Sequence, residues 1–196
     1  MSVSGDARLD GNAGVSRWDT LRMVPEEPNP TAEEIDPTTE AIVEAIRAGY
    51  LVEATRALWM VFNSRSASRE VFHPEELVAF HPQVEWTMRT DLPDPQTYRG
   101  REEFASVMAE WIDAFDDFHV EPGEIFETGG KVVAVLQVSG RIKGSDQQVA
   151  MEEVHVMSLR DGMFSEVREY PTKSEALTAL GLSESTTSAN RFVKSS

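Results

Sequence analysis

Three short stretches, Thr128-Gly129-Gly130, Lys143-Gly144-Ser145-Asp146 and Arg160-Asp161-Gly162, decide most of what this chain can fold into. Each is built from residues that accept the backbone of a tight turn, and each separates two runs rich in Val, Phe and Met. The runs cover 118–127, 131–142, 147–159 and 163–170. Connections this short leave no room for a crossover helix, so neighbouring runs must pair antiparallel. The pattern predicts a meander of four long strands.

Upstream the period changes. Pro37-Thr38-Thr39-Glu40 has the threonine cap and early acid of a helix start. From Ala41 to about Ser64, Ile42, Val43, Ile46, Leu51, Ala54, Leu58, Val61 and Phe62 recur at three- and four-residue steps, with Gly49 as the natural break. A short helix is expected over 74–80, then a strand over 84–88. DLPDPQTYRG reads as loop because Pro93 and Pro95 exclude regular structure. A third helix follows over 100–115, with Phe104, Val107, Met108, Trp111, Ile112 and Phe115 on one stripe. Residues 174–181 form a last short helix closed by Gly181. Helices first and a strand meander afterwards predict an α+β fold, about three helices packed on one face of a curved antiparallel sheet. Residues 1–36 read as a flexible acidic tail and 183–196 as a second one, leaving one domain over 37–182.

Composition narrows the function classes. The chain has 18 Lys and Arg against 34 Asp and Glu, a net charge of −16, with its basic residues scattered. A nucleic-acid or anionic-membrane partner needs a cationic face, so neither is expected. No run approaches the roughly 18 apolar residues of a membrane span. The absence of cysteine excludes thiolate chemistry and disulfides and favours a cytoplasmic location. His73 and His81 lack zinc-site spacing, and Gly129-Gly130-Lys131 lacks a phosphate-loop context, so no metal and no cofactor is expected.

The last hairpin holds the chemistry. His155 sits amid the apolar residues of one strand, and Glu169 lies about as far from the turn on the other. Whether they share a face depends on register, since a one-residue slip turns every side chain over. A two-residue Asp161-Gly162 loop would set His155 opposite Arg168 and turn Glu169 away. A three-residue Arg160-Asp161-Gly162 loop with a glycine bulge would set Glu153 opposite Glu169, with His155 one diagonal step off. The second register gathers Glu153, His155, Met157, Leu159, Met163, Val167 and Glu169 on one face and is preferred. It leaves Val154, Val156 and Phe164 outside, which requires something to cover that face. Beneath helices carrying Trp59, Phe62, Met108 and Trp111, such acids would be pushed towards neutral pKa values, as general acid–base work requires.

The order of a long helix, VEWT, YRGREEF, the meander, VHVMSLRDG and EYPTKSEALTALGL resembles the SnoaL-like group of the nuclear transport factor 2-like superfamily, over residues 40–182. The resemblance implies a cone-shaped α+β barrel, an apolar pocket between sheet and helices, and a homodimer packed through the sheet. The family's polyketide cyclases close a ring by intramolecular aldol condensation. They carry a histidine on the strand before the last hairpin turn and an aspartate acid/base on the strand after it. His155 and Glu169 fall at similar positions, with Glu in place of Asp, and Glu153 falls where the cyclases have another polar group. Ketosteroid isomerases of the same fold keep an acid where this chain has Trp86 and a tyrosine where it has Trp59, so isomerisation of that kind is not implied. The resemblance therefore implies a small apolar ligand, with His155 and Glu169 catalytic and Glu153, Trp59, Trp86, Met108, Trp111, Met157 and Val167 around it. The competing expectations are a non-catalytic binding module and a scaffold whose acidic tail docks a partner.

Overall fold

In a computed structural model of the protein, residues 39–183 are described. The expected tails at 1–36 and 183–196 thus lie almost wholly outside the described residues.

The first helical stretch divides as its glycine suggests. Helix α1 (Thr39–Ala48) ends at Gly49, whose φ of 90° suits a residue without Cβ. Helix α2 (Leu51–Ser68) then runs under the sheet, burying Ala54, Trp59 and Phe62. The segment after it is held by Arg65, whose guanidinium grips both oxygens of Glu76 at 2.8 and 2.7 Å. The helix expected over 74–80 is only a 3-10 turn, Pro74–Glu76. Strand β1 begins at Phe80 and runs to Thr87, earlier than its alternation suggested. The loop read into DLPDPQTYRG hides a short strand, β2 (Thr97–Arg99), paired antiparallel with the end of β1.

Helix α3 (Gly100–Ala114) and strands β3 (His119–Thr128), β4 (Lys131–Arg141), β5 (Gln148–Arg160) and β6 (Met163–Tyr170) follow the predicted order. Helix α4 (Lys173–Ala179) closes the described chain, with the Thr172 hydroxyl accepting from the Glu175 N–H. The six strands form one sheet in the order β2-β1-β6-β5-β4-β3. The α+β architecture is as expected, but the sheet is mixed and open. Strand β1 pairs parallel with β6, because the whole meander lies between them in the chain. Strands β2 and β3 stay as edges instead of closing a barrel.

The two faces of the sheet are covered differently. Phe104, Phe164, Leu136, Met157 and Val167, all nearly or fully buried, belong to the core that α1, α2 and α3 share with the sheet. Burying each such side chain contributes about 1.5–3 kcal/mol. On the other face Val133, Val154 and Val156 pack against Ala176 of α4. The cover that this face required is therefore the chain's own last helix.

One close approach fixes the far end of the core. A Cβ on Gly140 of β4 would lie 2.8 Å from a ring carbon of Phe115, whose ring stacks on Trp111 with centroids 5.9 Å apart. Gly140→Ala should therefore cost about 1–3 kcal/mol. Urea denaturation should show a lower midpoint with an unchanged slope.

Candidate functional site

At its corner the last hairpin takes the two-residue turn and not the preferred three-residue loop, and further along it takes neither register read from the sequence. Arg160 pairs with Met163 across a two-residue turn, with Asp161 at φ 56° and Gly162 at φ 71°. Positive φ at both central residues is the hairpin turn favoured by the twist of the strands. The pairing then slips. Leu159 faces Phe164 while Ser158 faces Glu166, so Ser165 is an extra residue on β6, its hydroxyl 3.3 Å from the Ser158 carbonyl. This bulge does what the preferred three-residue loop was expected to do, but it lies inside the strand instead of at the corner. It also turns Phe164 into the core, correcting the expectation that this ring lies outside.

Beyond the bulge, His155 pairs directly with Glu169, and Met157 with Val167. Glu153 is one step further along β5, opposite Leu136 of β4. The expected partners Glu153 and Glu169 are therefore not opposite each other; His155 stands across from Glu169 in that place. The three side chains nevertheless converge, because alternation along β5 sends 153, 155 and 157 to one face.

They converge on a cavity of about 80 Å³ between the sheet and the helices. Helix α2 contributes Trp59 and α3 contributes Met108 and Trp111, β1 brings Trp86, and the floor carries Glu153, His155, Met157, Val167 and Glu169. All nine residues singled out from the sequence line this space. Met88, just beyond β1, also lines it; with Met108 and Met157 it gives a wall of unbranched side chains that can yield to a ligand.

The polar end is tightly wired. The imidazole Nε2 of His155 bonds Glu153 Oε1, and lies 3.9 Å from Glu169 Oε1. The indole N–H of Trp86 donates to Glu169 Oε1, and the Arg89 backbone N–H donates to Oε2 at 3.1 Å. Rings hold the imidazole on two sides: Trp86 with centroids 5.0 Å away and Trp59 at 5.3 Å, both edge-on. Two buried ring nitrogens, His155 Nδ1 and Trp59 Nε1, have no hydrogen-bond partner. Buried polar atoms left in that state are uncommon in folded proteins.

Burial and charge set the protonation. Glu169 is pushed up to about 7, first by burial and then by the charge of Glu153; His155, Trp86 and the Arg89 N–H pull the other way. Burial works against a charge on His155. The bond to Glu153 and the charges of both carboxylates outweigh it, holding the imidazole above its ordinary value. Near neutral pH the Glu169 carboxyl and the His155 imidazole thus both hold protons more tightly than they would in water. One nitrogen or oxygen from each of the three groups lies within 4.8 Å of the others, close enough together to hold a single metal ion. Their arrangement suits protons better: Glu153 and His155 are in direct hydrogen-bond contact, and both oxygens of Glu169 already accept N–H bonds.

Arg89 is the residue that the sequence did not point to. It lies at the start of a proline-rich loop, which reads as solvent-exposed, yet it is 8 % exposed and bonds the Glu152 carbonyl of β5 at 2.8 Å. The only signal for it in the sequence is Asp91 two residues on, which holds the guanidinium with both oxygens, at 2.7 and 2.8 Å.

The chain is similar to several solved structures. A putative SnoaL-like polyketide cyclase from Jannaschia sp. CCS1 is 16 % identical, with 79 % of this chain and 95 % of that one covered and a TM-score of 0.47. A hypothetical protein with a ketosteroid isomerase-like fold from Catenulispora acidiphila DSM 44928, in complex with trimethylamine, is 20 % identical over 61 % and 90 %, with a TM-score of 0.46. TsrD from Streptomyces laurentii is 18 % identical over 66 % and 87 %, with a TM-score of 0.45. No curated protein matches the chain. No helix among the described residues is long and apolar enough to cross a membrane. Residues 73–167, from the 3-10 turn to the floor of the cavity, match the family model of the SnoaL-like domain.

Proposed function

We propose that the protein is a cofactor-free acid–base catalyst, cyclase-like or isomerase-like, acting on a small apolar carbonyl compound held in this cavity. The observation that carries the reading is the meeting of Glu153, His155 and Glu169 at one end of a cavity that is otherwise lined by apolar and aromatic side chains. Such a site binds a flat hydrophobic body and presents one proton-transfer group to it.

In this reading Glu169 is the base. Burial raises it to about 7, close to a working pH near neutral, which suits abstraction of a proton next to a carbonyl. As that proton leaves, negative charge develops on the carbonyl oxygen, and a buried donor aimed at it stabilises the enolate. His155 Nδ1 and Trp59 Nε1, the two buried ring nitrogens without partners among the described residues, supply such donors. Glu153 keeps His155 charged through its bond to Nε2, so the Nδ1 N–H remains available. Trp86 orients Glu169, while Met108, Trp111, Met157 and Val167 exclude water. No step of this chemistry requires a metal or organic cofactor. A homodimer packed through the sheet and a cytoplasmic location belong to the same proposal.

The test is exchange of the C–H protons beside the carbonyl of 2-indanone for solvent deuterium, followed by NMR. The protein should accelerate exchange, and Glu169→Gln should remove the acceleration. The alternative is a binding module without turnover, favoured by the apolar character of most of the lining. It predicts saturable binding of the ketone with exchange at the background rate.

A further inference from the structure

We infer that Arg89 is the positioning residue of the site: its buried guanidinium straps the loop after β1 across the end of β6 onto β5, and so fixes the backbone N–H that holds Glu169 in place. The inference rests on the acid–base reading only for what Glu169 is used for, and not for its geometry.

Among the described residues, Arg89 is the one buried arginine. Burying a guanidinium is costly unless its donors are met, and here most of them are. Nε and Nη2 take the two oxygens of Asp91, and Nη1 takes the Glu152 carbonyl at 2.8 Å, with Met151 Sδ at 3.7 Å. Glu152 and Met151 belong to β5, the strand that carries Glu153 and His155. Sheet order places β6, with Glu169, between β1 and β5. The side chain therefore reaches over the strand whose carboxylate its own backbone N–H engages at 3.1 Å. The Arg–Asp pair makes the loop a preformed clamp instead of a mobile tether, because a planar fork on both carboxylate oxygens fixes orientation as well as distance.

The clamp has a charge consequence. Glu169 is faced by Glu153 and His155 from β5, by the Trp86 indole from β1 and by the Arg89 N–H and guanidinium from the loop, with the Tyr98 phenol of β2 further off. Asp91, against the effect of burial, keeps the guanidinium charged, and Glu153 and Glu169 add to this. Releasing the clamp removes an N–H bond and a positive charge from Glu169 together. Both losses favour its protonated form.

The indole N–H proton of Trp86 reports on Glu169 directly, since it donates to that carboxylate. Its NMR shift, assigned with Trp86→Phe, should titrate with Glu169. Arg89→Met keeps the length of the stem and removes the fork. It should move the midpoint upward by about one pH unit, the size of one lost charge-assisted bond. Asp91→Asn, at a side chain about half exposed, should move it the same way by less and carries the test if Arg89→Met does not fold. Folded Arg89→Met or Asp91→Asn with an unmoved midpoint near 7 overturns the inference and leaves the acid–base reading intact. A parent midpoint in the ordinary carboxylate range that rises in the variant keeps the inference and removes that reading. An ordinary midpoint in both overturns the two together.

Discussion

Between pH 5 and pH 8 the protein should lose about 2–3 kcal/mol of stability that Glu169→Gln does not lose. In the unfolded chain the Glu169 carboxyl titrates at its ordinary 4.5, and in the folded protein at about 7. The folded state therefore binds its proton more tightly, and the stability gained is fully present below pH 4.5. It disappears as pH rises through 7, where the buried carboxyl must ionise beside Glu153. A rise from 4.5 to about 7 corresponds to about 3 kcal/mol as an upper limit. His155 acts with the same sign: its folded pKa is raised, so its contribution is present below 6.5 and lost as pH rises through the folded value. General repulsion from the net charge of −16 also grows with pH, but it does so in both proteins and cancels in the comparison.

The variant should not be more stable throughout. Glutamine offers one acceptor oxygen where Trp86 and the Arg89 N–H need two, so one N–H loses its partner at a cost of about 1–3 kcal/mol. The expected picture is two stability curves that approach or cross: the parent ahead at pH 5, the variant level or ahead at pH 8. Urea denaturation at the two pH values measures this. Parallel curves would mean that Glu169 is not a buried acid of raised pKa.

The second large effect concerns exchange of 2-indanone. Removing a positioned general base costs typically 10²–10⁴-fold, and Glu169→Gln should lower the rate by that factor. His155→Ala should cost less, because Glu169 remains while the enolate loses one donor and the site loses its countercharge. The parent rate should rise with pH and level off above about 7, as Glu169 becomes the free base. Glu169 and His155 titrate as interacting neighbours, so the midpoint reports the pair and not one residue alone. Binding of the ketone, measured by quenching of tryptophan fluorescence, should change little in Glu169→Gln, since the walls are untouched. A variant that exchanges as fast as the parent would contradict the role assigned to Glu169.

Much of this architecture is legible in the sequence because it is written in short-range signals. Gly129-Gly130 and Asp161-Gly162 mark turns by backbone conformation, and the stripe from Phe104 to Trp111 marks a helix face by period. What stays hidden depends on contacts made far along the chain. Strand β2 is three residues long, follows two prolines and exists only because Glu85, Trp86 and Thr87 lie beside it. The bulge at Ser165 has no marker: Phe164-Ser165-Glu166 would alternate equally well without it. Its position is set by the need to bury both Phe164 and Val167, each fully buried, on the same side. The convergence of His155 and Glu169 could thus be expected from composition and spacing while the device producing it could not. Arg89 is the clearest omission. Its burial depends on a carbonyl 63 residues away, which no local pattern encodes.

The account stands on one physical statement, that a carboxyl enclosed beside a second carboxylate and an imidazole keeps its proton up to neutral pH. Carbon-13 NMR of protein labelled at the glutamate side-chain carboxyl measures it directly. One resonance should titrate with a midpoint near 7, some two units above the ordinary glutamates, and be missing from Glu169→Gln. If every glutamate resonance titrates below about pH 5.5, the cluster holds no such proton and the account is wrong.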